Sequence, residues 1–201
     1  MSERRRPRVV APPSGTGGVG ISQPAANLGV SLATPSKKVV ASDAAFGTAN
    51  LQRLVGVPRP HGLLADALRK SGVPLVEALE PCPVPGLELV SGFDSPPWTA
   101  NPRPQQVALL AEQLHSIDAD YVILDLGGDT TFNSLDFFLG ADQGLVLTTC
   151  EPASYLDAYG FIKMTLHRKL MRLFGAESPY RKFRDEDLAR LIKEFVLPGA
   201  S

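Results

Sequence analysis

The sequence predicts an α/β fold, a mainly parallel sheet with helices on both faces, and three observations carry that expectation. Short apolar runs alternate with amphipathic stretches along most of the chain. The middle runs, above all Tyr121 to Leu126, are apolar almost throughout, as strands buried on both faces are. A glycine-rich turn, Gly15 to Gly20, separates the first apolar run from the first helical pattern. The 201 residues are 44% hydrophobic and 20% charged, which suits one domain with a core.

The elements follow in order. Arg8 to Ala11 reads as a first strand, cut off by Pro12 and Pro13. Ser22 to Ala33 reads as a helix: Ala25, Ala26, Leu28, Gly29 and Leu32 give it a small or apolar face, and Pro24 falls in its first turn. Val39 to Ser42 is a buried strand ending at Asp43, followed by a short helix around Asn50 to Leu54. His61 to Lys70 has helical spacing, Leu87 to Ser91 reads as a strand, and Pro81 to Pro85 and Gly92 to Pro104 read as loops. A helix from Gln105 carries Val107, Leu110, Ala111 and Leu114 on one side and leads to the strand Tyr121 to Leu126. Gly144 to Thr149 is expected as a further strand, Tyr155 to Phe174 as a long helix, and Asp185 to Val196 as a last helix.

Composition excludes several classes. Lys and Arg number 20 against 21 Asp and Glu, a formal net charge of -1, so no global positive field holds nucleic acid, and any membrane contact is peripheral. Cys82 and Cys150 are isolated and form neither a disulfide framework nor a zinc motif. His61, His115 and His167 show no ligand spacing and no nucleophile partner. The basic start, Arg4 to Arg8, precedes too short an apolar run for a signal peptide, so a cytoplasmic location is expected.

The turn Gly15-Thr16-Gly17-Gly18-Val19-Gly20-Ile21-Ser22 sits where backbone N–H groups and a helix N-terminus form an anion cradle. A phosphate-binding loop of this kind needs a lysine just before the Ser/Thr, to neutralise the β- and γ-phosphates. Here Ile21 holds that place, while Ser22 keeps the hydroxyl that faces Mg²⁺.

With the following AANLG, this segment resembles the KGGVGKS loop and helix of the MinD/ParA family of deviant-Walker P-loop ATPases, particularly its FlhG/FleN-like branch. Three further segments agree in order. Val40 to Leu51 resembles the family's DADFG-x-AN-L, Tyr121 to Gly128 its Walker B and switch II strand, and Thr148 to Ser154 its TTPEPTS turn.

The resemblance implies ATP and Mg²⁺ as cofactors, a P-loop NTPase-like fold whose C-terminal, adenine-contacting part is incomplete, and a homodimer or protein partner. It assigns nucleotide-binding positions to Gly15, Thr16, Gly17, Gly18, Val19, Gly20, Ile21 and Ser22, Mg²⁺ positions to Ser22, Asp43 and Asp125, and switch II to Gly127 and Gly128. It also marks departures. The family's two loop lysines align with Thr16 and Ile21, and the second Asp of DADFG with Ala45. Phosphoryl transfer is mostly charge stabilisation, and losing one positioned donor costs about 2.7–4 kcal/mol.

The expectation is therefore a pseudo-ATPase that binds or scaffolds in polar, flagellar or secretion-apparatus positioning and has lost hydrolysis. An ATP-binding switch that dimerises with nucleotide, and a decaying fragment without a role, stay open as alternatives. On this reading residues 1–7 are a basic flexible tail, 8–176 the NTPase-like domain and 177–201 a divergent helical segment. Ser154 is expected to cap the long helix, with Asp157 completing a capping box. In that helix Lys163, Arg168, Lys169 and Arg172 are expected as solvated charge over a core-facing stripe that includes Phe161, Ile162, Leu166, Leu170 and Leu173.

Overall fold

The computed structural model describes residues 6–13, 20–45, 49–68, 74–92, 102–128 and 130–174. In chain order these residues form β1 (Arg8–Ala11), α1 (Ser22–Leu32), β2 (Val39–Asp43), α2 (Leu51–Leu54), α3 (Leu64–Ala67), a 3₁₀ turn (Leu75–Ala78), β3 (Glu80–Pro81), β4 (Leu87–Val90), α4 (Pro104–Ser116), β5 (Tyr121–Asp125), α5 (Phe132–Gly140), β6 (Gln143–Gly144) and α6 (Pro152–Phe174). The strands make one sheet in the order β3-β4-β2-β5-β1-β6. Every pairing is parallel except β3 with β4.

Alternation of side chains along each strand divides the core into two layers. Val9, Val40, Val122 and Leu124 point to one side, where Leu64, Ala67, Leu75, Val107, Leu110, Leu114 and Phe137 cover them. Val10, Val39, Ala41 and Ile123 point to the other, against Ala25 and Ala26 of α1 and Leu51 of α2. Helices therefore lie on both faces, and β5, between β2 and β1, is buried on both sides as its unbroken apolar run requires.

The structure departs from the sequence reading at several elements. The helix expected from His61 begins at Leu64, because Leu63 is extended and forms a parallel bridge with Ser91; residues 69–73 lie outside the described part. Pro81, read as the start of a loop, joins Glu80 in a short antiparallel edge strand, a place where proline is tolerated. The strand expected at Gly144 to Thr149 is only Gln143–Gly144. Pro12 and Pro13 follow β1 without N–H groups, so they cannot return hydrogen bonds, although Leu145 N–H and Leu147 N–H donate to the Ala11 and Pro13 carbonyls at 3.0 and 2.9 Å. A Cβ at Gly144 would run into the Phe138 ring, so α5 and β6 approach closely only through glycine.

Helix α5 was absent from the sequence reading. Thr131 starts it, its Oγ1 accepting the Ser134 N–H at 3.4 Å. Helix α6 packs on it through Phe138 and Phe161, edge to face with centroids 5.1 Å apart. Arg168 donates twice to Asp136, at 2.8 and 2.7 Å, and lies 4.8 Å over the Phe132 ring.

This corrects two expectations for α6. The helix starts at Pro152, so Ser154 lies inside its first turn and is not the cap; its hydroxyl accepts the Thr149 N–H at 2.9 Å and meets Thr148 Oγ1 at 2.9 Å. The core-facing residues are Ser154, Ala158, Phe161 and Thr165, whereas Ile162, Leu166 and Leu173 are exposed. Arg168 is not free solvated charge, since Asp136 holds it. The last helix expected at Asp185 to Val196 lies outside the described residues.

Phe161 is fully buried at the α5–α6 contact. Phe161→Ala is expected to destabilise the domain by about 3–5 kcal/mol, read as a lower midpoint in urea unfolding.

Candidate functional site

The site forms where the parallel strands end. β2 and β5 pair residue for residue from Val39 with Tyr121 to Asp43 with Asp125, so two carboxylates finish side by side at the carboxyl edge. Ligands bind at this edge in open α/β sheets. Both aspartates are buried, with 0% exposure. Ala44 N–H closes the pair by donating to the Asp125 carbonyl at 2.8 Å.

The two carboxyl groups have different surroundings. Asp43 Oδ1 accepts the Ala45 N–H at 3.1 Å, and Oδ2 accepts the N–H groups of Asn50 and Leu51, both at 3.0 Å. Asp43 thus fastens the loop after β2 to the start of α2. Burial pushes its carboxyl up to about 7, the neighbouring Asp125 adds to the rise, and the three amides oppose it. Asp125 Oδ1 accepts the Gly127 N–H at 3.0 Å, a contact made by the turn in which Gly127 has φ +66°. Its Oδ2 is buried without a hydrogen-bond partner among the described residues. Burial raises the Asp125 carboxyl too, opposed by hydrogen bonding from the Ser22 side chain and Gly127.

Ser22, first residue of α1, therefore meets Asp125. A hydroxyl beside a carboxylate oxygen that lacks a partner is a hard-oxygen donor set suited to Mg²⁺. Gly20, with φ +73°, is exposed just before α1, and Gly128 lies half-buried beyond Gly127. Gly15, Thr16, Gly17, Gly18 and Val19 lie outside the described residues. Ile21 is 5% exposed: an apolar side chain is packed away at the position before the Mg²⁺-type hydroxyl. Ala45, at the place of the second aspartate, is buried as well.

No described lysine near the sheet takes over the lost charge. Lys38 precedes β2 and pairs with Glu88 at 2.9 Å, about 16 Å of strand from Asp43. Lys37 stands one residue earlier, its N–H donating to the Thr34 carbonyl. Sequence reasoning passed over Gln52, which is fully buried in α2 with neither amide atom partnered among the described residues. A polar residue between Leu51 and Leu54, one position after the amide that Asp43 holds, was the available sign.

The fold and this edge define a P-loop NTPase-like α/β protein. By sequence, the chain is 29% identical to the flagellum site-determining protein YlxH of Helicobacter pylori, over 81% of its own length and 55% of the relative's. It is 30% identical to the antiactivator FleN of Pseudomonas aeruginosa, over 78% of this chain and 56% of that one. By structure, it matches the septum site-determining protein MinD complexed with Mg-ADP from Pyrococcus horikoshii with a TM-score of 0.69 and 22% identity, covering 81% of this chain and 65% of the other. No protein-family model matches the chain. The chain is a MinD/ParA-family protein, FlhG-like. It spans about half the length of the curated relatives it matches.

The neighbouring charge on Asp125 is one cause of the high Asp43 value. Asp125→Asn is therefore expected to lower the Asp43 carboxyl titration below about 7, followed by carbon NMR of that carboxyl. The sign for stability follows. A raised carboxyl binds its proton more tightly when folded, so its contribution is full below the unfolded value of 3.8 and is lost as pH rises to about 7. Urea midpoints should show that decline more weakly in Asp125→Asn.

Proposed function

We propose that the chain acts in cellular positioning, of the polar, flagellar or secretion-apparatus kind, as a pseudo-ATPase that works by binding rather than by turnover. The names of its relatives, a flagellum site-determining protein and an antiactivator, support the setting. The observation that carries the loss of turnover is Ile21, apolar and 5% exposed where the family's phosphate lysine stands. Thr16 replaces the family's other loop lysine, and Ala45 replaces the second switch carboxylate. One missing charge donor removes roughly 10²–10³ in rate, and two cations are gone here.

What remains suits a metal better than a phosphate chain. Ser22 and the open oxygen of Asp125 would hold Mg²⁺, with Asp43 keeping the loop after β2 in place. A bound Mg²⁺ would neutralise phosphate oxygens. The first turn of α1 offers a phosphate little, because the Gln23 N–H already donates to the Gly20 carbonyl at 3.0 Å and Pro24 has no N–H, and Ile21 brings no charge to meet it. The retained Ser22 and Asp125 favour one second reading, a switch that dimerises around Mg-nucleotide without fast turnover.

The test is steady-state ATP turnover by the purified chain beside Ser22→Ala/Asp125→Asn. Equal rates are expected for the two proteins. Turnover by the parent well above that variant would refute the pseudo-ATPase reading.

A further inference from the structure

The sheet ends differently on its two sides. At one edge β3 carries Pro81, which has no N–H to offer, and Glu80, whose carboxylate accepts the His61 N–H at 2.7 Å. Proline and charge are devices that keep such an edge from pairing with another chain. At the other edge β6 pairs with β1, and no described strand lies beyond it. Past Gly144 the backbone stays alongside β1, because the Leu145 and Leu147 N–H groups donate inward. Strand alternation then turns the N–H and C=O groups of Gly144 and Val146 outward. Residues 143–149 hold no charge and no proline, and Leu145 is 45% exposed.

The same flank carries exposed apolar surface on α6. Helices α4, α5 and α6 pack in that order on one face while the strands run β5, β1, β6, so α6 and β6 are each outermost. Ser154, Ala158, Phe161 and Thr165 are the buried side of α6. About 100° round the helix, Tyr155, Tyr159, Ile162 and Leu166 form a row three or four residues apart and 52% to 65% exposed. Lys163 and Lys169 stand to either side of the row, where their stems cover apolar surface and their ammonium groups stay in water. A row of this kind beside an open strand edge marks an interaction surface.

We propose that a second copy of the chain pairs on this flank, β6 against β6 in antiparallel sense, about a two-fold axis at Leu145. That axis sets Gly144 opposite the partner's Val146, so the outward groups of both chains exchange hydrogen bonds. It also brings the two Leu145 side chains together as a close, non-hydrogen-bonded pair. A surface that meets its own copy must tolerate its own charge, and residues 143–149 have none. The β3 edge would instead set Glu80 near the partner's Glu80. The exposed rows of the two α6 helices then face each other over the joined strands. The contact uses neither Ser22 nor Asp125, so it needs no nucleotide.

The test is sedimentation equilibrium of the full chain without nucleotide, at up to about 100 µM. A dimer is expected in the parent and equally in Ser22→Ala/Asp125→Asn. Leu145→Lys, which sets like charges at the axis, and separately Ile162→Lys, on the exposed row, should each weaken it about tenfold or more. Both positions are exposed, so circular dichroism of either variant should match the parent. To locate the axis, Leu145→Cys in a Cys82→Ser/Cys150→Ser chain is oxidised beside Leu109→Cys, a position of similar exposure on α4. The first should form a disulfide-linked dimer about tenfold faster. A monomer at every concentration, a dimer indifferent to both lysines, or equal rates for the two cysteines overturns the proposal.

Discussion

The parallel pairing of β2 with β5 is the constraint on which the site depends. Because the register runs without a break from Val39 opposite Tyr121 to Asp43 opposite Asp125, both strands end in a carboxylate at one level of the sheet edge. Helices on both faces exclude water from the strands, so both groups are buried and their titration is raised. A slip of one residue would turn each strand's side chains to the opposite layer and separate the pair. The same pairing aims Asp125 at the start of α1, where Ser22 stands.

Within that frame the two aspartates have divided their tasks. Asp43 accepts the backbone N–H groups of Ala45, Asn50 and Leu51, while Asp125 Oδ2 has no hydrogen-bond partner among the described residues. An unpartnered buried carboxylate oxygen costs stability, and proteins keep such groups where a ligand completes them. Position 21 has gone the other way. A lysine there would have to extend its ammonium to the cradle, whereas Ile21 lies buried and contributes packing.

Much of this was legible in the sequence, because the informative residues lie on central strands. The run Tyr121 to Leu126 has few readings other than a doubly buried strand, and an aspartate at its end falls at the ligand edge. The glycine turn and Ser22 set the start of α1 within a residue. The periphery was less legible. Helix α5 is nine residues long, with Phe137, Phe138 and Leu139 bunched near its end, so its apolar period is weak and the Thr131 cap was its main sign. β3 and β6 are two-residue edge strands, set by neighbours and not by their own composition. For α6, sequence periodicity fits either apolar row; which one is core was decided by the position of α5, through Phe138 and Asp136.

The proposal that replacement of the loop cations, with the scaffold kept, removes nucleotide chemistry is tested most directly by equilibrium binding of Mg-ATP. The chain and its Thr16→Lys/Ile21→Lys variant would be titrated side by side with a fluorescent ATP analogue. The account predicts that the parent shows no saturable binding and that the variant binds. Saturable binding by the parent at micromolar nucleotide would contradict it.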